Sequence, residues 1–283
     1  MVVDVLTLDV GRVHLTRVPY FDVPLDPSAV GLTAEEVAES AWAVPVWATD
    51  GGQVLVGQAI WVLESGGRVI VVDPCCAADP FLRSGPEALG HQDAVVDALT
   101  RAGLPPERVD VVVLSHLDGI GMAALVDEGG AWRPMFPNAR VVLTSTELSW
   151  LDHAEEVQGL GALRALMAQG VVDGVATPFE LTPEVSVHLV GGHSPGHAIV
   201  RVESGDHQAV LVGHLALSPI HLTPTTTDRP PQHLDDDAAT GALDKLRAEA
   251  AATGPSLIGP LWPYPGVVDL TGSDSVPVPV MPT

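Results

Sequence analysis

The alternation of apolar and polar residues along the chain predicts a series of strands separated by tight turns and helices. The stretch 51–74, GGQVLVGQAIWVLESGGRVIVVDP, has β-branched runs broken by glycine pairs and predicts successive strands. Apolar runs at 108–115, 138–145, 184–215 and 255–260 predict further strands, most of them buried. Because several of these strands are joined by turns that are too short for a crossover helix, the pattern indicates mixed sheets.

Helical periodicity and capping residues predict helices between these strands. The predicted helices are 32–42 with Thr33 as its cap, 84–104 ending at Gly103, roughly 146–169, and 235–254 with an acidic first turn. We interpret the whole chain, 1–283, as one α/β domain with helices outside its sheets. The proline-rich segment 1–50 is expected to be irregular apart from its short helix, and the tail 271–283 to be loose.

Composition and charge exclude several classes of protein. The 283 residues are 46% hydrophobic, which is enough for a sizeable core, and no uncharged apolar run reaches the length of a membrane span. The formal net charge of −23 argues against nucleic acid and anionic membranes as partners. No secretory signal is visible, and the adjacent Cys75 and Cys76 indicate no disulfide framework, although one of them could be a reactive thiol. A reducing cytoplasm is therefore the expected compartment.

Histidines follow several predicted strands directly. His116 and Asp118 come after VDVVVLS, His193 and His197 lie in GGHSPGHA, and His214 ends VLVGH. A side chain just beyond a strand is rigidly held yet faces the end of the sheet, where metal ligands and catalytic groups are often found. One such histidine alone carries little information, but three similar placements favour a shared site.

The order of VVDP, VDVVVLSHLDGIGM, FPNARVVLTSTE, GGHSPGHAIV, VLVGHLAL and LIGPLWPYPG resembles the metallo-β-lactamase-fold hydrolases over residues 50–270. The resemblance is nearest to the branch that holds lactonases and organophosphate hydrolases. It implies an αββα sandwich, in which two mixed β-sheets flanked by helices hold metals at one edge.

This sequence departs from the metal-binding pattern of that family. The family motif H-x-H-x-D-H falls on His116, Asp118, Ile120 and Gly121. Of the later ligands, a histidine falls on His193, the bridging aspartate on His214, and the last histidine on Leu261.

The changes remove one of the two metal sites that the resemblance implies. Ile120, Gly121 and Leu261 cannot coordinate a metal, so the second metal is predicted to be absent. The first site keeps four candidate donors, and these also serve as the candidate catalytic residues: His116, Asp118, His193 and His214. Such donors suit one divalent metal, Zn²⁺ first, with iron or manganese as alternatives. A metal-free site that uses the same side chains for acid–base chemistry, and a structural relic, remain open.

Residues around these donors have supporting roles in the same interpretation. His197 and Asp73 match family positions that orient the ligands from behind, although Asp73 could simply be a turn residue before Pro74. Leu261, Trp262 and Tyr264 could line an apolar, aromatic pocket, or could serve only to pack a proline-rich loop.

A narrower resemblance is carried by the opening VDVLTLDVGRVHLTRVPYFDVPLDP together with VVDPCCAADPF and SHLDGIGM. These stretches resemble the second-ring cyclases of bacterial type II aromatic polyketide biosynthesis, the actinorhodin type, and hence antibiotic biosynthesis. The resemblance implies a metal-dependent cyclase that closes a ring by intramolecular aldol condensation and could release the chain as a thioesterase. Its partner would be an aromatic polyketide intermediate, carried on an acyl carrier protein or free. The alternatives are a simple ester or lactone hydrolase and a non-catalytic pathway scaffold.

Overall fold

The computed structural model describes residues 5–74, 92–117, 124–126, 131–153, 160–224, 226, 233–270 and 276–281. The described strands, in chain order, are β1 (Leu6–Val10), β2 (Val13–Leu25), β3 (Val54–Ser65), β4 (Arg68–Val72), β5 (Val111–Val113), β6 (Ala124–Val126), β7 (Trp132–Pro134), β8 (Arg140–Thr144), β9 (Val172–Val175), β10 (Phe179–Thr182), β11 (Val185–Leu189), β12 (Ala198–Ser204), β13 (His207–Leu211), β14 (Ser256–Ile258), β15 (Val267–Asp269) and β16 (Val278–Pro279). The described α-helices are α1 (Ala34–Glu39), α2 (Gln92–Arg101), α3 (Ser145–Leu151), α4 (Leu160–Ala168) and α5 (Asp236–Thr253).

The strands form two large mixed sheets. The first has the order β1-β2-β3-β4-β5-β8-β9, antiparallel as far as β4 and parallel from β4 to β9. The second has the order β10-β11-β12-β13-β14-β15-β16, antiparallel except for the parallel pair β13 and β14. A separate hairpin joins β6 and β7. The predicted α/β class with mixed sheets is confirmed.

Alternating side chains of the strands build an αββα sandwich. In the first sheet, Ile70 and Val72 face the second sheet, whereas Val69 and Val71 pack toward α2 and α4. The side chains of the second sheet also alternate between the two faces. Its outer face packs against α5, which contributes residues such as Leu243. Strands buried on both faces need apolar residues at every position, which explains the runs VIVV at 69–72 and VVV at 111–113.

The two sheets are joined at the edge where β5 and β13 end. The backbone N–H of Ala198, at the start of β12, donates to the carbonyl of Ser115 just beyond β5, at 2.8 Å. His116 therefore lies where the first sheet meets the second. His214 follows β13 by three residues and approaches the same edge. The topology brings together histidines that are distant in sequence.

The prediction that segment 1–50 is irregular is wrong for its first half. Residues Leu6–Val10 and Val13–Leu25 form β1 and β2, and β2 pairs with β3 along its whole length. The prolines of β2 argue against a strand when the sequence is considered alone, so the pattern did not predict it. Because β1 pairs only with residues 13–17, Pro19 and Pro24 lie where β2 has no bond to β1, and proline is tolerated there.

The tail prediction also needs correction. Within 271–283, the structure describes residues 276–281, and Val278–Pro279 form β16 against β15. Two residues were too short a run to be recognised as a strand from the sequence.

The predicted helix capped by Thr33 is confirmed, since Thr33 and Glu36 form a reciprocal capping box at the start of α1. The acidic start of α5 is likewise confirmed, with Asp235 as its N-cap. The segment predicted as one helix near 146–169 forms α3 and α4, with 154–159 outside the described residues. None of the described helices has the length and apolarity that a membrane span needs.

Candidate metal centre

His116 is held by the loop that follows β5. The side chain of Asp73, at the end of β4, accepts a hydrogen bond from the backbone N–H of Ser115 at 2.7 Å, with Asp73 at a φ of 46°. The Ser115 hydroxyl lies 2.8 Å from Nδ1 of His116. This pair fixes the ring so that Nε2 points away from Ser115, and the histidine is only 1% exposed. Asp73 and His116 thus contact the same residue, Ser115, and the role of Asp73 in orienting the site stays a prediction.

His214 lies on a short 3-10 turn, Gly213–Leu215, directly after β13. Its backbone N–H donates to Nε2 of His197 at 3.2 Å, and its own Nδ1 lies 3.0 Å from Nε2 of His116. Gly213 has a φ of 58°, and a Cβ there would lie 2.6 Å from Nε2 of His197. A glycine is therefore required before His214 for the turn to approach His197 this closely.

His197 lies behind the turn of His214, and its role in orienting a metal ligand stays a prediction. The residue is 0% exposed and its ring accepts the backbone hydrogen bond of His214. Burial, reinforced by the neighbouring imidazoles of His116, His193 and His214, holds the pKa of His197 well below its usual value. His197 is therefore neutral at physiological pH. Its Nδ1 has no hydrogen-bond partner in the described part of the chain.

Three histidines converge on one point. The ring of His116 lies 4.6 Å from that of His193 and 4.3 Å from that of His214, measured between centroids. One nitrogen from each of the three lies within 4.8 Å of the others, and all three residues are buried. Among the described residues, this is the one group of histidine, cysteine or carboxylate side chains with such convergence. We call it the histidine cluster: His116, His193 and His214.

The histidine cluster fits a divalent metal ion. Two imidazole nitrogens that share a tetrahedral Zn²⁺ at about 2.0–2.1 Å are separated by about 3.3 Å. The 3.0 Å separation of His116 Nε2 and His214 Nδ1 is close to that value. The neutral imidazole is the form of histidine that binds a metal ion.

Some predicted residues lie outside the described part of the chain. Asp118, the fourth candidate donor, is one of them, so its role stays a prediction. The same holds for Ile120 and Gly121 of the altered motif and for Cys75 and Cys76.

Glu147 is an important residue of the site that the sequence did not reveal. It is 0% exposed, in the first turn of α3. One carboxyl oxygen accepts from the backbone N–H of Leu117 at 3.1 Å, and the other accepts from Ser194 Oγ at 2.7 Å and from Gly196 N–H at 2.9 Å. Glu147 thus connects the loop that carries His116 to the loop that carries His193. It read only as a helix residue in TSTELSW, because its three partners are distant or unremarkable in sequence.

His233 is a second residue that sequence reasoning missed. Its Nδ1 lies 3.1 Å from Nδ1 of His193, with ring centroids 5.3 Å apart. It follows no predicted strand, so the strand-end pattern that indicated the other histidines gave no signal for it.

The predicted pocket residues lie on the loop that precedes β15. Leu261 and Trp262 are 2% and 0% exposed and belong to the hydrophobic cluster beneath α5. The indole N–H of Trp262 donates to the carbonyl of Ala216, two residues after His214, at 2.9 Å. Tyr264 is half-buried against the core between the sheets. The loop thus supports the turn of His214, while a pocket-lining role for its side chains stays a prediction.

The comparisons with known proteins agree with this architecture. No family model matches the chain. The dizinc quorum-quenching lactonase AidC superposes with a TM-score of 0.78 at 16% identity, covering 99% of this chain and 98% of that one. The hydrolase AbOPH of the β-lactamase superfamily also gives 0.78, at 18% identity, covering 100% and 99%. A probable metal-dependent hydrolase from Staphylococcus aureus gives 0.73 at 14% identity, covering 98% and 99%.

In sequence, the chain is 27% identical over 122 residues to an N-acyl homoserine lactonase of Bacillus thuringiensis. The match covers 43% of this chain and 44% of the relative. The lactonase AiiA of the subspecies kurstaki matches with the same values.

The likeness to these solved structures shows the metallo-β-lactamase fold, and the histidine cluster is a candidate metal centre at the edge of its sheets. The narrower prediction of an aromatic polyketide cyclase in antibiotic biosynthesis is wrong. The curated relatives that match are lactonases, which favours the lactone-hydrolase alternative instead. The opening segment that suggested a cyclase forms β1 and β2 of the common sandwich.

Proposed function

We propose that this protein is a metal-dependent hydrolase that opens lactone rings. The observation that carries the proposal is the buried histidine cluster at the edge of a sandwich shared with lactonases. The partial match in sequence to N-acyl homoserine lactonases supports that substrate class. Hydrolysis adds water to the lactone carbonyl and breaks the ring C–O bond, giving a hydroxy acid.

The residues of the chain hold the donors in place for this chemistry. His116, His193 and His214 would hold the ion, each as a neutral imidazole. A divalent metal ion supplies Lewis acidity and makes water a competent nucleophile at neutral pH. Ser115 fixes the ring of His116, and His197 fixes the backbone of His214, so that the donors are positioned before substrate arrives.

The charge of the protein suits a neutral substrate with an anionic product. A lactone carries no net charge and meets no repulsion from a chain of net charge −23. Its hydrolysis releases a carboxylate at neutral pH, which the overall negative field repels. The field therefore assists product departure and leaves substrate entry unaffected.

We further propose that the site holds one metal ion, in contrast to the dizinc neighbour AidC. The support is Leu261, which occupies the position of the last ligand in the family pattern and is 2% exposed in a hydrophobic cluster. An apolar, buried side chain at that position provides no donor for a second ion.

The test combines metal analysis with substrate assays on protein purified without chelators. We expect about one equivalent of Zn²⁺, and lactone opening, followed with a pH indicator, that is lost with a chelator and restored by Zn²⁺. His116→Ala should abolish turnover, whereas His153→Ala, at an exposed surface position, should leave it unchanged. N-acyl homoserine lactones and 4-nitrophenyl acetate are assayed in parallel. Metal-loaded protein that opens no lactone in the series would refute the proposed activity, and two bound equivalents would refute the single-metal site.

A further inference from the structure

His233 stands beside the histidine cluster in a position that the chain fixes firmly. The backbone N–H of Leu234 donates to the carbonyl of His193 at 3.1 Å, and that of Asp235 donates to the carbonyl of Gly192 at 3.0 Å. The segment 233–235 is therefore bonded along the turn that carries His193. It then enters α5, whose N-cap Asp235 accepts from the N–H of Ala238 at 3.0 Å.

Close packing holds α5 against this turn. Gly192 has a φ of 87°, and a Cβ at this residue would lie 2.4 Å from the Cα of Ala239 in the first turns of α5. Ala239 is 1% exposed. The helix start and the His193 turn thus form one packed unit, and the 3.1 Å contact between His193 and His233 is a product of that packing.

A contact between two ring nitrogens requires one donor and one acceptor. If Nδ1 of His193 donates to Nδ1 of His233, then Nε2 of His193 is deprotonated and presents a lone pair. Metal-binding histidines are commonly held in this manner, with the second ring nitrogen donating to an acceptor outside the ligand shell. Ser115 contacts the Nδ1 of His116 in the equivalent place.

We infer that His233 is a positioning residue that accepts the Nδ1 proton of His193 and so directs Nε2 of His193 toward the metal ion. This inference rests on the proposed metal-dependent function. His233 does not itself belong to the group of three whose nitrogens converge. Its effect on the metal is exerted through the orientation and the tautomer of His193.

The chain offers a sharp conservative test. The Oδ1 of asparagine is separated from Cα by the same number of bonds as the Nδ1 of histidine, so His233→Asn keeps an acceptor in place. His233→Ala removes it. His207→Asn, at an exposed residue where β13 begins, serves as the matched control. The Zn²⁺ dissociation constant of each is measured by competition with a chromophoric chelator, beside the unfolding midpoint of the metal-free proteins.

We expect His233→Ala to raise the Zn²⁺ dissociation constant by about 10-fold to 100-fold, with His233→Asn close to the wild type and His207→Asn unchanged. Long-range ¹H–¹⁵N spectra of the imidazoles should show His193 protonated at Nδ1 in the wild type and in His233→Asn. Unchanged affinity in His233→Ala, or a His193 protonated at Nε2 in the metal-free wild type, would overturn the inference. Failure of the wild-type protein to bind Zn²⁺ would instead overturn the proposed function together with it.

Discussion

Replacing Glu147 is the most direct test of how the two loops of the site are held together. Glu147→Ala removes the acceptor of three buried donors: the backbone N–H groups of Leu117 and Gly196 and the hydroxyl of Ser194. Each buried donor left without an acceptor costs about 1–3 kcal/mol. Because the three share one carboxyl group, their losses are not additive. We expect a loss of about 3–5 kcal/mol in the free energy of unfolding.

Urea denaturation of metal-free protein measures this loss, and two further variants calibrate it. Glu147→Gln keeps one carbonyl oxygen and loses one acceptor, so it should fall between the wild type and Glu147→Ala. Glu180→Ala, at an exposed position of β10, should change the free energy by no more than about 0.5 kcal/mol. The Zn²⁺ affinity of Glu147→Ala should fall as well, because Glu147 joins the loops of His116 and His193. A Glu147→Ala protein within 1 kcal/mol of the wild type would refute this reasoning.

Three other predictions concern the donors, the acid stability and the packing. In a chelator competition, His214→Asp should retain Zn²⁺ binding whereas His214→Leu should lose it. The reason is that Oδ1 of aspartate is as many bonds from Cα as the Nδ1 of His214 that approaches His116. Equal Zn²⁺ affinities of the two variants would contradict this. Burial lowers the pKa of His221 to about 4 from 6.5. Above pH 6.5 His221 is neutral in both states and costs no stability, and the free energy of unfolding declines as the pH falls from 6.5 toward 4, because only the unfolded state takes up the proton. At about 1.4 kcal/mol per pKa unit, the loss in the free energy of unfolding amounts to about 3 kcal/mol. In urea titrations, His221→Asn should therefore lose less stability between pH 7 and pH 4 than the wild type does. Parallel pH profiles of the two proteins would count against this prediction. Gly192→Ala combines a positive φ with a clash at Ala239 and should lower the unfolding free energy by about 2–4 kcal/mol; an unchanged melting temperature would show that the helix can move.

The sandwich was predictable because its strands are buried on both faces. Residues 69–72, VIVV, are apolar at every position, as expected of a strand covered on both faces, and Thr33 and Asp235 are capping residues that mark the starts of α1 and α5. Two of the strands that escaped prediction show why a local pattern can fail. β2 contains prolines, which are tolerated because β1 does not pair with that part of the strand, and β16 is too short to be periodic.

The site was predictable as far as its residues follow strands. His116, His193 and His214 were found because each stands just after an apolar run, and the fold brings such ends together. Glu147 and His233 make contacts with residues that are distant in sequence, at 30 and 40 residues' separation from their partners Leu117 and His193. No local pattern encodes such contacts, so a structure was needed to find them.

The burial of Leu261 has a consequence for any attempt to introduce a metal ligand at this position. Its side chain is enclosed in the hydrophobic cluster beneath α5, and its backbone carbonyl accepts a hydrogen bond from the N–H of Gly57 in β3 at 2.9 Å. A histidine introduced there alone would place a polar ring in apolar surroundings, at a cost of about 1–3 kcal/mol. A histidine at position 261 would therefore have to offset this cost by binding a metal ion before it could serve as a ligand.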